Sequence, residues 1–138
     1  MDKQILSTFH HGGSTALCVL IRGDNLYAIN LGDSVGALIR ENEAVKLSEL
    51  HSPGEEEERR MIIERGGVVI HHNNVHRVQG SLAISRSFGD KSYKPYISST
   101  PDIKEFKLNK KDQLIVLGTD GFWDVSLARY KQTLNHFL

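Results

Sequence analysis

One cysteine, three prolines and no net charge narrow the reading of these 138 residues before any motif is considered. A lone cysteine, Cys18, excludes an internal disulfide framework and is in keeping with a reducing compartment. Seventeen basic residues cancel seventeen acidic ones, so no general attraction to nucleic acid or to an anionic membrane is expected. The longest apolar run, 16–21, is far shorter than the ~20 residues of a membrane span. Met1-Asp2-Lys3-Gln4 lacks the apolar core of a secretory signal. Repeats, linkers and low-complexity tracts are missing as well. What remains is enough chain for one domain, 39% hydrophobic and 25% charged, as in ordinary globular proteins.

The most informative stretch is Leu117-Gly118-Thr119-Asp120-Gly121-Phe122-Trp123-Asp124-Val125. It follows Gln113-Leu114-Ile115-Val116-Leu117, an apolar run that reads as a buried strand. A core strand that delivers Asp120, and Asp124 four residues later, suits a hard divalent cation such as Mg²⁺ or Mn²⁺. The competing reading is an Asp-Gly turn with Asp124 near the start of the next helix. Asp33, in Asn30-Leu31-Gly32-Asp33-Ser34, has the same position just past a strand. Two such carboxylates could share a cation and activate water for hydrolysis, or each could be a turn former.

The rest of the chain reads as strands with separate helices, an α+β class. Residues 14–22 and 26–31 predict a hairpin about Gly23-Asp24-Asn25, continued by 36–40 and 44–47 as an antiparallel meander. Pro53 opens a helix over 54–65, with Glu55 to Glu58 early, arginines later and Gly66-Gly67 as its stop. The glutamate run is a helix start that needs no partner. Residues 68–71 and 75–78 predict a hairpin around Asn73-Asn74, 81–90 is irregular, and 96–99 and 103–108 are short strands. Leu127, Tyr130, Leu134 and Phe137 predict a helix after Ser126. Cys18, among Leu17, Val19 and Leu20, is expected in the core. His71, His72 and His76 are read as solvent-facing rather than as zinc ligands. Lys107, Lys110 and Lys111 are read as a solvated surface.

Several blocks, in order, resemble the PPM family of metal-dependent protein serine/threonine phosphatases, also called the PP2C family. They are Gly13-Ser14-Thr15-Ala16, Asn30-Leu31-Gly32-Asp33-Ser34, His51-Ser52-Pro53 with the Glu/Arg helix and Gly66-Gly67, the stretch from Arg77 to Asp90, Lys94 with Pro101-Asp102-Ile103, and Thr119 to Val125. The resemblance covers 13–125 and implies a PP2C-like α-β-β-α sandwich, two antiparallel sheets flanked by helices. It implies a Mg²⁺ or Mn²⁺ centre, a phosphoprotein substrate hydrolysed by a metal-activated water, an intracellular setting (cytoplasmic or nuclear) and a monomer. Asp120 matches a carboxylate of the binuclear centre, and Asp33 and Asp124 match acids that hold a further metal in some members. Arg86 matches the flap region that shapes substrate access.

The resemblance covers only the middle of the family domain, so 1–138 is expected to be a partial domain truncated at both ends. The family's Asp-Gly-His-Gly-Gly motif has no counterpart, because His11-Gly12-Gly13 runs directly into Ser14-Thr15-Ala16. The catalytic residues therefore remain unassigned: the family's His and phosphate-binding Arg belong to the missing N-terminal part. The late Asp-Asn motif is absent too. Val35 and Leu50 stand where Arg and Asp are usual, and Gly118-Thr119 where Ala-Ser is common. Such a fragment is expected to expose sheet edges and apolar faces and to be inactive or very weak. The alternative is a non-catalytic pseudophosphatase that binds or regulates a phosphoprotein.

Overall fold

Leu26, Ala28 and Asn30 alternate with half-buried neighbours, the period of two that a strand with one covered face requires. A computed structural model describes residues 1–9, 11–41 and 43–124 and shows the expected α+β class. The predicted helix after Ser126 lies outside the described residues. Two compact units emerge among the described residues, one within 1–16, 31–33 and 50–101, the other within 17–30, 34–49 and 102–124.

The second unit holds two three-stranded sheets. One contains β2 (Ala16–Arg22), β3 (Asn25–Leu31) and β9 (Asp102–Lys107), with β3 central and antiparallel to β9. The other contains β4 (Val35–Arg40), β5 (Glu43–Lys46) and β10 (Asp112–Gly118), with β4 central and antiparallel to both neighbours. The expected meander is thus split, since β3 and β4 belong to different sheets. Leu26 and Ala28 of β3 meet Leu38 of β4 and Leu47 in one apolar cluster, with Val19, Val45, Phe106, Leu108 and Ile115 packed around it. Arg40 Nε donates to Asp112 Oδ1 at 2.6 Å, tying the end of β4 to the start of β10. Each group keeps the other charged: the mutual hydrogen bond raises the Arg40 guanidinium and holds the Asp112 carboxyl below its ordinary value.

Two expectations fail here for one reason. Cys18 is exposed rather than in the core, because β2 is an edge strand whose Val19, not Cys18, packs on the cluster. β10 is likewise an edge strand and not a buried one. It sends Ile115 inward while Leu114 and Leu117 stay exposed. Apolar runs look buried in a sequence because burial on one face or two gives nearly the same letters. Exposed Leu20, Ile21 and Ile103 in the other sheet fit the expectation of uncovered apolar surface.

The first unit contains α1 (Asp2–Thr8), the short pair β1 (Gly13–Ser14) and β8 (Phe88–Gly89), α2 (Glu56–Glu64) and the hairpin β6 (Val69–His72) with β7 (Val75–Val78). Asn73 and Asn74 both take positive φ, the geometry of a tight hairpin turn, as their position predicted. α2 stops where Gly66 and Gly67 donate to Ile63 O and Ile62 O, both at 2.9 Å, closing the last turn. Ile62, Val78 and Ile97 form this unit's core with Val69, Leu82, Tyr93 and Tyr96. The strand expected over 96–99 reduces to a single bridge between Arg86 and Ser98. Gly12 and Gly13 serve the backbone: Asp90 N donates to Gly12 O at 2.8 Å, and Gly13 pairs with Gly89.

α1 is fastened by Asp2, whose Oδ1 accepts the Gly89 N–H at 2.9 Å and whose Oδ2 lies 3.3 Å from Lys94 Nζ. Burial pushes this carboxyl up, but the hydrogen bonds from Gly89 and Ser99 and the charge of Lys94 outweigh it and hold it below the ordinary 3.8. A depressed folded value stabilises the fold above the unfolded value and fades as pH falls through the folded one. Asp2→Asn is therefore expected to destabilise the chain near pH 7, with the difference closing as pH drops below about 4. In the other unit, Leu38→Ala is expected to cost about 2–5 kcal/mol. Leu20→Ala, at an exposed site, should stay within about 0.5. Urea unfolding of the three variants checks both, and equal losses for the two leucines would misplace the core.

Candidate metal centre

Gly118, the last residue of β10, leaves no room for a side chain. An added Cβ would lie 2.7 Å from the Phe122 ring and 2.9 Å from Trp123 Nε1. A helix starts immediately: the Phe122 and Trp123 amides both donate to Thr119 O at 3.1 Å. The Asp120-Gly121 step is thus the first turn of a helix and not a separate Asp-Gly turn. Asp120 and Asp124, four residues apart, share one helical face and are both exposed. Carboxylates in a first turn are favoured by the unpaired amides there, and Asp120 Oδ1 accepts the Gly121 N–H at 2.7 Å. Trp123 anchors the turn. It is 5% exposed, its indole N–H is shared between Val35 O at 3.1 Å and Gly118 O at 3.0 Å, and Phe122 packs edge-on at 5.1 Å.

Asp33 lies in the first unit, half-buried, after Gly32. Gly32 has φ +111°, and an added Cβ would fall 2.2 Å from the Thr15 methyl, so no other residue fits. Its amide donates to His51 Nδ1 at 2.9 Å, while His51 N donates to Gly32 O at 3.1 Å. The acid therefore follows a backbone unit held at both polar atoms.

Hard carboxylate oxygens on fixed backbone suit Mg²⁺ or Mn²⁺, which protein sites often hold by one or two carboxylates with waters. The donor chemistry of Asp120 with Asp124, and separately that of Asp33 in the other unit, fits such a cation. Among the described residues no three His, Cys, Asp or Glu side chains gather into one metal-sized group. His71 and His76 face each other across the hairpin at 4.5 Å, and His71 and His72 are exposed.

Arg86 is held tightly. Its Nε donates to Glu58 Oε1 and Oε2 at 3.0 and 3.1 Å, its Nη1 to Thr100 O at 3.2 Å, and the two charged side chains are 12% and 6% exposed. Ser85 Oγ donates to Glu58 Oε2 at 2.6 Å. Glu58 thus has two partners, against the expectation that the glutamate run needed none. Glu58 lies four residues before Ile62 on one face of α2, and the structure shows both buried. His51, 1% exposed, was seen only as part of a motif; its role shows once Gly32 is found beside it.

A family model described as protein phosphatase 2C matches residues 2–129. The chain belongs to the protein phosphatase 2C family. A probable protein phosphatase 2C 9 of Arabidopsis thaliana is 41% identical over 128 residues, covering 90% of this chain and 45% of that protein. A probable protein phosphatase 2C 56 of Oryza sativa subsp. japonica is 39% identical over 117 residues, covering 85% and 33%. Among solved structures, a sex determining protein of C. elegans superimposes with TM-score 0.84 at 33% identity, covering 91% of this chain and 31% of that one. A serine-threonine phosphatase 2C from Toxoplasma gondii gives 0.77 at 27% identity, covering 89% and 45%. The chain therefore spans under half the length of these phosphatase 2C relatives. No helix among the described residues is long and apolar enough to cross a membrane.

Removing one partner of a buried ion pair leaves a desolvated charge. Glu58→Ala is expected to destabilise by about 3–5 kcal/mol. Glu57→Ala, which breaks only the exposed pair with Arg60, should cost about 1 kcal/mol or less. Thermal unfolding of the two variants side by side measures the contrast, and equal small losses would mean that the Glu58–Arg86 pair is not formed.

Proposed function

We propose that this chain is part of a metal-dependent phosphatase that hydrolyses phosphoserine and phosphothreonine in protein substrates. Membership of the family over residues 2–129 carries the reading. The retention of Asp33, Asp120 and Asp124 favours it over a non-catalytic phosphoprotein binder. Asp120 with Asp124, on one helical face, would hold Mg²⁺ or Mn²⁺, and Asp33, in the other unit, is read separately as a ligand for the same kind of cation. The chemistry such a cation supplies when bound is activation of water and neutralisation of charge on the phosphoryl group.

The chain's own residues have distinct tasks in this reading. Trp123 fixes the turn that presents Asp120 and Asp124. Gly32, gripped by His51, presents Asp33. Arg86 spends its guanidinium on Glu58 and Thr100 O, so its part is to order the segment 79–101 beside the substrate rather than to grip phosphate. Neither the Asp120–Asp124 pair nor Asp33 by itself supplies the oxygens for the clamp of a two-metal site, which must hold both the attacking and the leaving oxygen.

The 138-residue chain alone is therefore expected to bind Mn²⁺ weakly and to show little or no turnover of a phosphothreonine peptide. Asp120→Asn with Asp124→Asn should weaken Mn²⁺ binding, read by titration calorimetry, by about tenfold or more, since each change removes a charged ligand. Turnover matching a full-length relative would overturn the expected inactivity. Unchanged Mn²⁺ affinity in the double variant would remove these acids from the metal site.

A further inference from the structure

We propose that His51 is a positioning residue, which sets the turn bearing Asp33 by accepting the Gly32 amide on Nδ1 and couples that turn to the Arg86 segment. The inference rests on the metal-binding reading of Asp33 and goes beyond it, to the group that holds that acid in place.

The argument begins with protons. The donor in the 2.9 Å contact is the backbone N–H of Gly32, a group that can only donate. Nδ1 must therefore be the bare nitrogen, and the proton of the neutral ring sits on Nε2. With Nδ1 lacking an acceptor lone pair, two N–H groups would face each other in a buried site. The same residue grips Gly32 a second time, since His51 N donates to Gly32 O at 3.1 Å. Both contacts are shut away from water: Gly32 is buried and His51 is 1% exposed. Solvent cannot replace either bond if it is lost.

The connection continues outward through the backbone. His51 O accepts the Ser85 amide at 2.9 Å, and Ser85 O accepts the Ser98 amide at 3.3 Å. The Ser85 hydroxyl meets the Glu58 carboxylate that also holds Arg86. Gly32, His51, Ser85, Glu58 and Arg86 thus form one hydrogen-bonded chain within one unit. Displacing the imidazole acceptor frees the Gly32 peptide, whose next residue is the acid. Groups that orient metal ligands from behind, without touching the metal, commonly control affinity in this manner.

The δ position is the discriminating detail. In His51→Asn, the amide oxygen can occupy the place of Nδ1, whereas His51→Gln places its polar group one bond farther out and His51→Leu offers no acceptor. Mn²⁺ titration of the whole chain should show His51→Asn close to the natural protein. His51→Gln and His51→Leu should bind about 10- to 100-fold more weakly, the usual effect of losing an orienting partner. Circular dichroism confirms that each variant is folded, and if His51→Leu is not, the Asn and Gln pair decides. Equal Mn²⁺ affinity for Asn and Gln would overturn the proposal.

Imidazole ¹⁵N NMR of the unmutated chain gives an answer that needs no variant. A bare Nδ1 and a protonated Nε2 are expected at neutral pH, with a slowly exchanging Gly32 amide, and a protonated Nδ1 would overturn the proposal. Asp33→Asn separates the two levels. If it leaves Mn²⁺ binding unchanged, the metal reading of Asp33 fails, while the ¹⁵N signature still tests the grip on Gly32.

Discussion

Asp33 and Asp120 each follow a glycine whose position is too crowded for a side chain. Gly32 precedes Asp33 with the Thr15 methyl where a Cβ would be, and Gly118 precedes Thr119-Asp120 with the Phe122 and Trp123 rings in the same role. A glycine so placed lets a strand end abruptly while its backbone stays packed. The carboxylate that follows is then presented by close-packed main chain rather than by a mobile loop. Everything proposed about metal binding depends on this constraint, because a divalent cation rewards donors fixed before it arrives.

The two positions are secured by different means. Trp123 secures the β10 end, its indole N–H bridging the end of one strand and the start of its neighbour. The Gly32 end is secured by hydrogen bonds to a buried histidine, with the buried Glu58–Arg86 pair farther along the same chain of contacts. The first arrangement is mostly packing and tolerates little change in shape. The second is polar, and its strength depends on every member being satisfied. Its failure would therefore propagate, whereas exposed pairs such as Arg60–Glu57 can break with small effect.

Much of this was legible in the sequence, and the exceptions share a cause. Turn chemistry is local, so the Asn73-Asn74 hairpin and the Gly66-Gly67 helix stop were readable from neighbouring residues. The position of Asp120 after an apolar strand was readable too. Which strands are covered on both faces is not local, and β10 and Cys18 were placed too deep for that reason. The partners of Glu58 and His51 lie 28 and 19 residues away in sequence. Charge patterning along α2 suggested a solvated helix start, and only the tertiary fold shows that one of its four acids turns inward. The contacts of Arg86, with Glu58 and with Thr100 O, were likewise beyond what neighbouring residues could show.

The most direct measurement is anomalous diffraction from crystals of this chain grown with millimolar Mn²⁺. The account predicts a manganese peak within coordination distance of the Asp120 or Asp124 carboxylate, with those side chains on the helical turn described for them. Manganese bound elsewhere, for instance at His71 and His76, with none at these acids would contradict it.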